Sequence, residues 1–463
     1  MDYLDRESKI KVAVFLINRQ FIRSWIDSGL LKRMADSGHF EIAVFAQDDI
    51  FGKLPQSPDF QTCNLGTIQV SKYSRHTVAM GLVTMSSRSE TFRYKLERQF
   101  LPDTRFFPAK MGFVAAYKLF VHNAKQLVGN TFHNRMTALY FMKPFRFLLR
   151  RYLKRLNEIP TLPPEIRNGN FDWLIIPAAS GIGVTTDFLV GARALGIHSL
   201  IAIDNWDHLT GKSIYPTKPN FFTVMGTRDI EHAVTIHGFD PKTILPFGLP
   251  RFDIYRTMKR PFSNNRTSTK KRILYCGFSL PHSEKRVVDQ MASYFEGKFG
   301  IGAVEICYRP HPGPLPRYDT YELANPRVIV TDHGNIGRTA MPAMDDEFID
   351  ALMSADVVVG APTTLLLEAM LVGKPCVLDL TIDDYHRTTA GISARRHTHI
   401  LDMTAVSGIP RGETIPELIK TVDLMLESNL ETMDYDISHL YNVNDPPYEE
   451  QLESFLIANT KTS

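Results

Sequence analysis

The sequence has few cysteines, no long apolar run and, over one long stretch, no acidic residue. Its four cysteines, Cys63, Cys276, Cys307 and Cys376, stand far apart among 463 residues. They offer no disulfide framework. Three sit in or beside apolar strand-like runs and read as small buried residues in a reduced, cytoplasmic setting. No stretch reaches the ~18 consecutive apolar residues that mark a membrane-spanning helix. The opening residues, Met1-Asp2-Tyr3-Leu4-Asp5-Arg6-Glu7, are too charged for a secretory leader. His397 and His399 lie two apart with no cysteine or carboxylate set at ligand spacing, so no metal site is expected. The formal net charge is only +3, but residues 104–157 hold eleven Lys or Arg, eleven Phe or Tyr and no Asp or Glu. Such local asymmetry implies an anionic surface or ligand.

Apolar runs of strand length alternate with helical patterns along most of the chain. Residues 10–17 and 42–45 predict strands around a helix at about 20–37, an opening βαβ unit. Residues 50–100 carry no clear period. Strands are predicted again at 171–176, 199–203, 221–224 and 243–247, with helices at 184–195 and 228–237. Residues 261–272 are polar, without period, and read as a linker. Beyond them strands are predicted near 273–277, 303–308, 327–330, 356–359 and 376–379, with helices near 284–296, 346–353 and 364–371. The expected class is α/β: two doubly wound Rossmann-like domains, residues 1–260 and 273–427, facing a cleft, with a helical basic insertion in the first and a closing helical segment at 428–463.

Four motifs carry chemistry. In Asp356-Val-Val-Val-Gly360-Ala-Pro-Thr363-Thr364-Leu-Leu-Leu-Glu368-Ala-Met370, followed by Gly373-Lys374-Pro375, a buried strand turns into a helix that a threonine can cap. The helix start is a ready anion site for a diphosphate, and Glu368 one turn in can reach a ribose hydroxyl. In Tyr308-Arg309-Pro310-His311-Pro312, prolines hold one imidazole on a loop after a strand, where it can bind phosphate or act as an acid, with Arg309 as a second fork. In Asp204-Asn205-Trp206-Asp207-His208, either carboxylate can serve as a base for an acceptor hydroxyl; the plainer reading is a capped turn with a core tryptophan. Asp48 and Asp49 are the next choice of base. The turn Gly277-Phe278-Ser279 permits close backbone approach to a phosphate, or is only a turn. Gly248-Leu-Pro250-Arg251-Phe252-Asp253 reads as structural or as cleft floor.

The Asp356–Pro375 stretch resembles the donor-domain signature of GT-B transferases, and is especially similar to the CDP-glycerol glycerophosphotransferases and capsule polysaccharide glycosyltransferases. Arg309-Pro-His311-Pro resembles the His-Pro motif of the same families. The resemblance implies donor nucleotide and phosphate binding by His311, Thr363, Thr364 and Glu368, and the residues themselves add Gly277, Ser279 and Arg309 to that candidate set. Retaining GT-B enzymes often carry glutamates eight positions apart; Gly360 and Cys376 flank Glu368 here, so an inverting enzyme is implied. It would need no cofactor beyond a nucleotide-sugar co-substrate. Asp204 and Asp207 are the candidate catalytic bases.

From Pro144 onward, Phe145, Leu148, Leu149, Tyr152 and Leu156 recur at helical spacing with Arg146, Arg150, Arg151 and Lys154 on other faces. That pattern is an amphipathic cationic helix for a membrane surface or an anionic acceptor, or a core helix with solvated charges. No nucleic-acid recognition motif accompanies it. The expectation is a glycosyltransferase of cell-surface glycan synthesis at the inner face of the plasma membrane, taking a glycan or lipid-linked acceptor. The rivals are a polyol-phosphate glycerophosphotransferase, a GT-B-fold UDP-sugar epimerase and a non-catalytic nucleotide-sugar-binding scaffold.

Overall fold

The computed structural model describes residues 9–18, 21–93, 144, 147, 148, 151, 160–178, 182–257, 270–279, 282–311, 322–331, 346–383 and 389–460. They form two compact units. The first holds the first seven strands and takes back the chain from His439 onward; the second holds Ile254–Ser438.

The strands of the first unit are β1 (Ile10–Leu16), β2 (Phe40–Ala46), β3 (Gln61–Asn64), β4 (Trp173–Ala178), β5 (His198–Ile203), β6 (Phe221–Thr223) and β7 (Ile244–Leu245). They pair in the order β3-β2-β1-β4-β5-β6-β7, all parallel. A parallel sheet covered on both faces needs strands that are apolar at every position, and β1 obeys: Ala13 and Phe15 enter one buried cluster, Val12 and Val14 the other. Helix Ile182–Ala194 covers the first face through Val184, Phe188, Leu189 and Ala192, with Phe188 stacked on Phe15 at 4.1 Å between ring centroids. The opposite face is closed by the last helix, Tyr448–Thr460, through Tyr448, Leu452 and Leu456.

The expected helix at about 20–37 is instead a π-helical turn, Ile22–Asp27, and an α-helix, Leu30–Asp36, separated at Gly29. Gly29 has φ 78°, a left-handed value that ends one helical segment before the next begins. A second π-helical turn, His208–Lys212, follows β5. The stretch with no clear period contains a 15-residue helix, Lys72–Ser86, whose cap Ser71 donates to Asp187.

The second sheet comprises β8 (Lys271–Cys276), β9 (Val304–Arg309), β10 (Ile329–Val330), β11 (Val357–Gly360), β12 (Cys376–Asp379) and β13 (Arg411–Gly412). Its order is β10-β9-β8-β11-β12-β13, again parallel. Helices Glu284–Phe299 and Ile415–Glu427 pack on one face through Val288, Met291, Phe295, Leu418 and Val422. Of the expected linker 261–272, residues up to 269 lie outside the described part, and Lys271 and Arg272 open β8, where Lys271 pairs with Val304. Both sheets run outward from their first strand to one side and resume on the other. The reversal falls between β1 and β4 in the first, and between β8 and β11 in the second. In doubly wound sheets, ligands bind beyond the carboxyl ends of the strands at that reversal.

Candidate functional site

Three loops meet at the carboxyl ends of β8, β9 and β11. Cys276 ends β8, and the Gly277 amide donates to the Arg309 carbonyl at 2.8 Å. A Cβ on Gly277 would lie 2.6 Å from the His311 amide nitrogen and 2.9 Å from the Arg309 carbonyl oxygen. Only glycine lets the turn after β8 approach the Arg309–His311 loop this closely. On the other flank, a Cβ on Gly360 would lie 2.8 Å from the Cys276 carbonyl, so β11 also closes tightly on β8. Sequence-distant residues Gly277, Arg309, His311 and Thr363 are thereby gathered at one sheet edge.

Thr363 adopts extended backbone and its hydroxyl accepts from the Leu366 amide at 3.3 Å, capping helix Thr364–Leu371. Thr363 and Thr364 are partly exposed, as is His311; Ser279 is exposed. Arg309 is buried, its guanidinium 4.6 Å from the centre of the Phe348 ring. Glu368 is fully buried, and one of its carboxylate oxygens accepts from the Tyr255 hydroxyl. The neighbouring motif residues are structural. Asp356 accepts from the Arg272 amide at 2.7 Å, joining β11 to β8. Lys374 is buried and donates to the carbonyls of Met353 and Ala355 at 2.6 and 3.0 Å, holding the chain into β11.

Beneath the Gly277 turn lies a buried polar network that sequence reasoning missed. Both oxygens of Glu284 are engaged: one accepts from the Phe278 amide, the other from the Tyr308 hydroxyl at 2.8 Å. His282 Nε2 lies 3.2 Å from Asp379 Oδ2 and 3.0 Å from the Thr381 hydroxyl, and Tyr275 donates to Asp379 at 2.6 Å. Burial alone would lower the His282 pKa, but the Asp379 charge and hydrogen bond, with Glu284 and Asp383, raise it to about 9. Burial raises Glu284 to about 7 against the opposing pull of His282 and of its hydrogen bonds. Burial, the largest single influence, pushes Asp379 up, but the His282 charge together with hydrogen bonds from His282, Tyr275 and Thr381 holds it low. The available signal was a histidine in the turn after one strand and an aspartate ending another, but neither spacing nor period links positions 97 apart.

In the first unit, Asp204 and Asp207 follow β5 but differ in surroundings. Asp204 is buried against Arg251, with Nη1 to Oδ1 at 3.1 Å, and Arg251 also donates to the Asp204 carbonyl. Burial raises the Asp204 pKa to about 6 in spite of Arg251. Asp207 is partly open; Lys212 lies 2.6 Å away across the π-helical turn. Trp206 is buried, and Asn205 accepts from its amide at 3.0 Å. The Pro250–Asp253 motif is structural: Arg251 serves Asp204, and Asp253 accepts from the Tyr448 amide at 3.0 Å, anchoring the final helix. Asp48 accepts from Asn64 and Thr67 at 2.9 and 3.1 Å. Arg146, Arg150 and Lys154 lie outside the described residues; Arg151, with Pro144, Phe147 and Leu148, is helical and exposed. Among the described residues, no group of three His, Cys, Asp or Glu is placed to hold a metal, and no helix is long and apolar enough to cross a membrane.

No protein-family model matches the chain, and no curated protein matches it by sequence. Solved structures do match it in fold. UDP-GlcNAc 2-epimerase from Methanocaldococcus jannaschii superposes with a TM-score of 0.50 at 10% identity, covering 97% of this chain and 100% of the other. The UDP complex of S. aureus MnaA gives 0.48 at 9%, covering 98% of each. MurG of Acinetobacter baumannii gives 0.45 at 11%, covering 97% and 99%. The chain thus has a GT-B-like fold of two doubly wound Rossmann-like units.

Proposed function

We propose that this protein is a metal-independent, inverting glycosyltransferase that uses a nucleotide-activated sugar in cell-surface glycan synthesis. One observation carries the reading: the capped helix start at Thr363, the glycine turn at Gly277 and the Arg309–His311 loop converge where the second sheet reverses. Helix-start amides suit a diphosphate, and with His311 beside them they need no metal to offset its charge. On this reading His311 and the Thr363 and Thr364 hydroxyls hold the donor phosphates, with Ser279 and the Gly277 turn beside them. Glu368, oriented by Tyr255, recognises the ribose. Arg309, buried under its carbonyl contact with Gly277, fixes the loop and adds positive potential. Asp207, the more open of the two acids after β5, takes the proton of the acceptor hydroxyl as that oxygen attacks the anomeric carbon. The bond to the diphosphate breaks and the diphosphate leaves with its electron pair. Asp204, paired with Arg251, supports the turn from below.

The basic aromatic segment 104–157 supports an anionic acceptor, a lipid-linked glycan at the cytoplasmic face of a membrane. A glycerophosphotransferase would use the same donor groups with CDP-glycerol. The M. jannaschii neighbour is a UDP-GlcNAc 2-epimerase, and an epimerase would use the same kind of donor with no acceptor. A thermal-shift screen of CMP, CDP, UDP and GDP tests the donor site; a ligand at 100 times its dissociation constant adds about 2.7 kcal/mol. His311→Ala should then weaken the stabilising nucleotide about tenfold, since a charge-assisted contact is worth ~1.5–3 kcal/mol. No shift with any of the four sinks the reading. Epimer formed from UDP-GlcNAc without acceptor replaces transfer by epimerisation.

A further inference from the structure

We propose that Glu284 and His282 are positioning residues for diphosphate binding: together they set the Gly277–Ser279 turn so that its exposed end, Ser279, receives the terminal phosphate of the donor. The proposal rests on the donor-site reading above and names what holds its least regular part in place.

The turn has no regular secondary structure to hold it. It is fixed instead by buried Glu284 and by a backbone bond to β9, and the chain after it is held through His282 and Ser283. From below, Glu284 accepts the Phe278 amide with one oxygen while the Tyr308 hydroxyl, on β9, occupies the other at 2.8 Å. A Cβ on Gly277 would lie 2.7 Å from that second oxygen, so the carboxylate lies directly against the turn. From the side, His282 reaches Asp379 at the end of β12, where Thr381 and Tyr275 complete the cluster at 2.7 and 2.6 Å from the carboxylate. Beyond the turn, the Ser283 amide and hydroxyl, next to helix Glu284–Phe299, both donate to Asp383 at 3.1 Å. The turn is tied to β9 by the Glu284 and Tyr308 side chains and by the Gly277 amide on the Arg309 carbonyl, and the residues that follow it are tied to the end of β12.

Carboxylates and an imidazole are expensive to bury, and a turn in need only of stability is served as well by apolar packing. What charged groups add is direction. The Phe278 amide is taken by Glu284, which turns that peptide unit inward. The Gly277 amide is likewise spent on the Arg309 carbonyl at 2.8 Å, so what the turn offers at the sheet edge is its exposed end, Ser279. A turn fixed in advance pays no reorganisation when phosphate arrives, which is the general advantage of a rigid anion-binding turn. Phe278 itself is buried and Ser279 exposed, consistent with a turn whose middle is pinned and whose far side is open.

The test reads the terminal phosphate alone. Dissociation constants are measured by calorimetry on the full chain for the pairs UMP and UDP, CMP and CDP, and GMP and GDP. The ratio within the pair that binds reports the contribution of the second phosphate. Glu284→Ala should lower that ratio about tenfold, the worth of one charge-assisted contact. Glu284→Gln, which keeps an acceptor for the Phe278 amide, should restore it to within about twofold of wild type. His282→Gln should lower it about threefold, and it carries the test alone if Glu284→Ala does not fold. A general loss of structure would weaken monophosphate and diphosphate equally and leave the ratio unchanged; an unchanged ratio in the folded variants overturns the proposal. A wild-type protein that prefers no diphosphate over its monophosphate overturns the donor-site reading first, and this proposal with it.

Discussion

The two sheets share a topology, but their carboxyl edges are built from opposite chemistry. At the edge of the first, a buried acid, Asp204, is matched by a buried cation, Arg251, and a partly exposed acid, Asp207, stands three residues on. At the edge of the second, glycines bring the turn after β8 close against its neighbours beside a capped helix start, and the buried charges lie underneath in a network of Glu284, His282 and Asp379. One edge is secured by an ion pair, the other by close backbone approach over a polar network. Fold alone therefore assigns no role to either edge; the side chains beneath the turns do.

The comparison breaks most sharply at Arg251. Changing it to Met leaves Asp204 buried and unpaired, which should cost the first unit about 3–5 kcal/mol in denaturant unfolding. The double variant Arg251→Met with Asp204→Leu should regain most of that loss. A single Arg251→Met variant as stable as wild type would show that the pair is not what secures this edge.

Gly277→Ala is the counterpart in the second unit. The added methyl would meet backbone atoms of His311 and Arg309 at 2.6 and 2.9 Å, neither of which can swing aside. Overpacking of this kind costs about 1–3 kcal/mol, and nucleotide-induced stabilisation should be lost along with it. Unchanged melting and unchanged nucleotide response would mean that the turn relaxes freely.

Removing the cap is milder. Thr363→Ala should destabilise the second unit by about 1 kcal/mol, while Thr363→Ser should retain both the cap and the nucleotide response. Equal behaviour of the two variants in a thermal melt would separate the hydroxyl from the helix start.

The smallest effect is in pH dependence, and it separates the units by window. The His282 pKa in the folded chain is about 9, above its ordinary 6.5, so its stabilisation is complete below 6.5 and is lost as pH rises through 9. Asp204 is raised from 3.8 to about 6, so its contribution is present below 3.8 and is lost as pH rises through 6. Glu284, raised from 4.5 to about 7, adds a loss in the second unit as pH rises through 7, while His237, lowered by burial from 6.5 to about 4, adds stability to the first as pH rises over that interval. Unfolding followed from pH 4 to 10 should therefore separate the units above pH 7, where the second goes on losing stability up to about 9. His282→Gln should flatten only the late loss.

Much of the fold was legible because strand and helix periods are local. The helix at 364–371 and the strand at 376–379 stand where apolar runs and turns predicted them, and β1 and β5 differ by one residue at an end. Helix Lys72–Ser86 escaped because its apolar residues show no clear period, although its cap is local: Ser71 accepts from the Ser74 amide at 3.0 Å and is itself held by Asp187, 116 positions away. Likewise β3, Gln61–Asn64, has no apolar pattern and exists only through its pairing with β2.

For the site, local pattern is enough to mark which residues end strands and open helices, so Gly277, His311, Thr363 and Asp207 could be found by inspection. Tertiary structure alone decided what surrounds them. Spacing does not tell that Asp204 is neutralised by Arg251 while Asp207 stays partly open, nor that Glu368 is fully buried against Tyr255. It does not tell that Glu284 and His282 support the Gly277 turn. The reason is physical. A residue's secondary structure depends on neighbours a few positions away, but its burial and its charge partner depend on strand order, which brings together segments about a hundred residues apart.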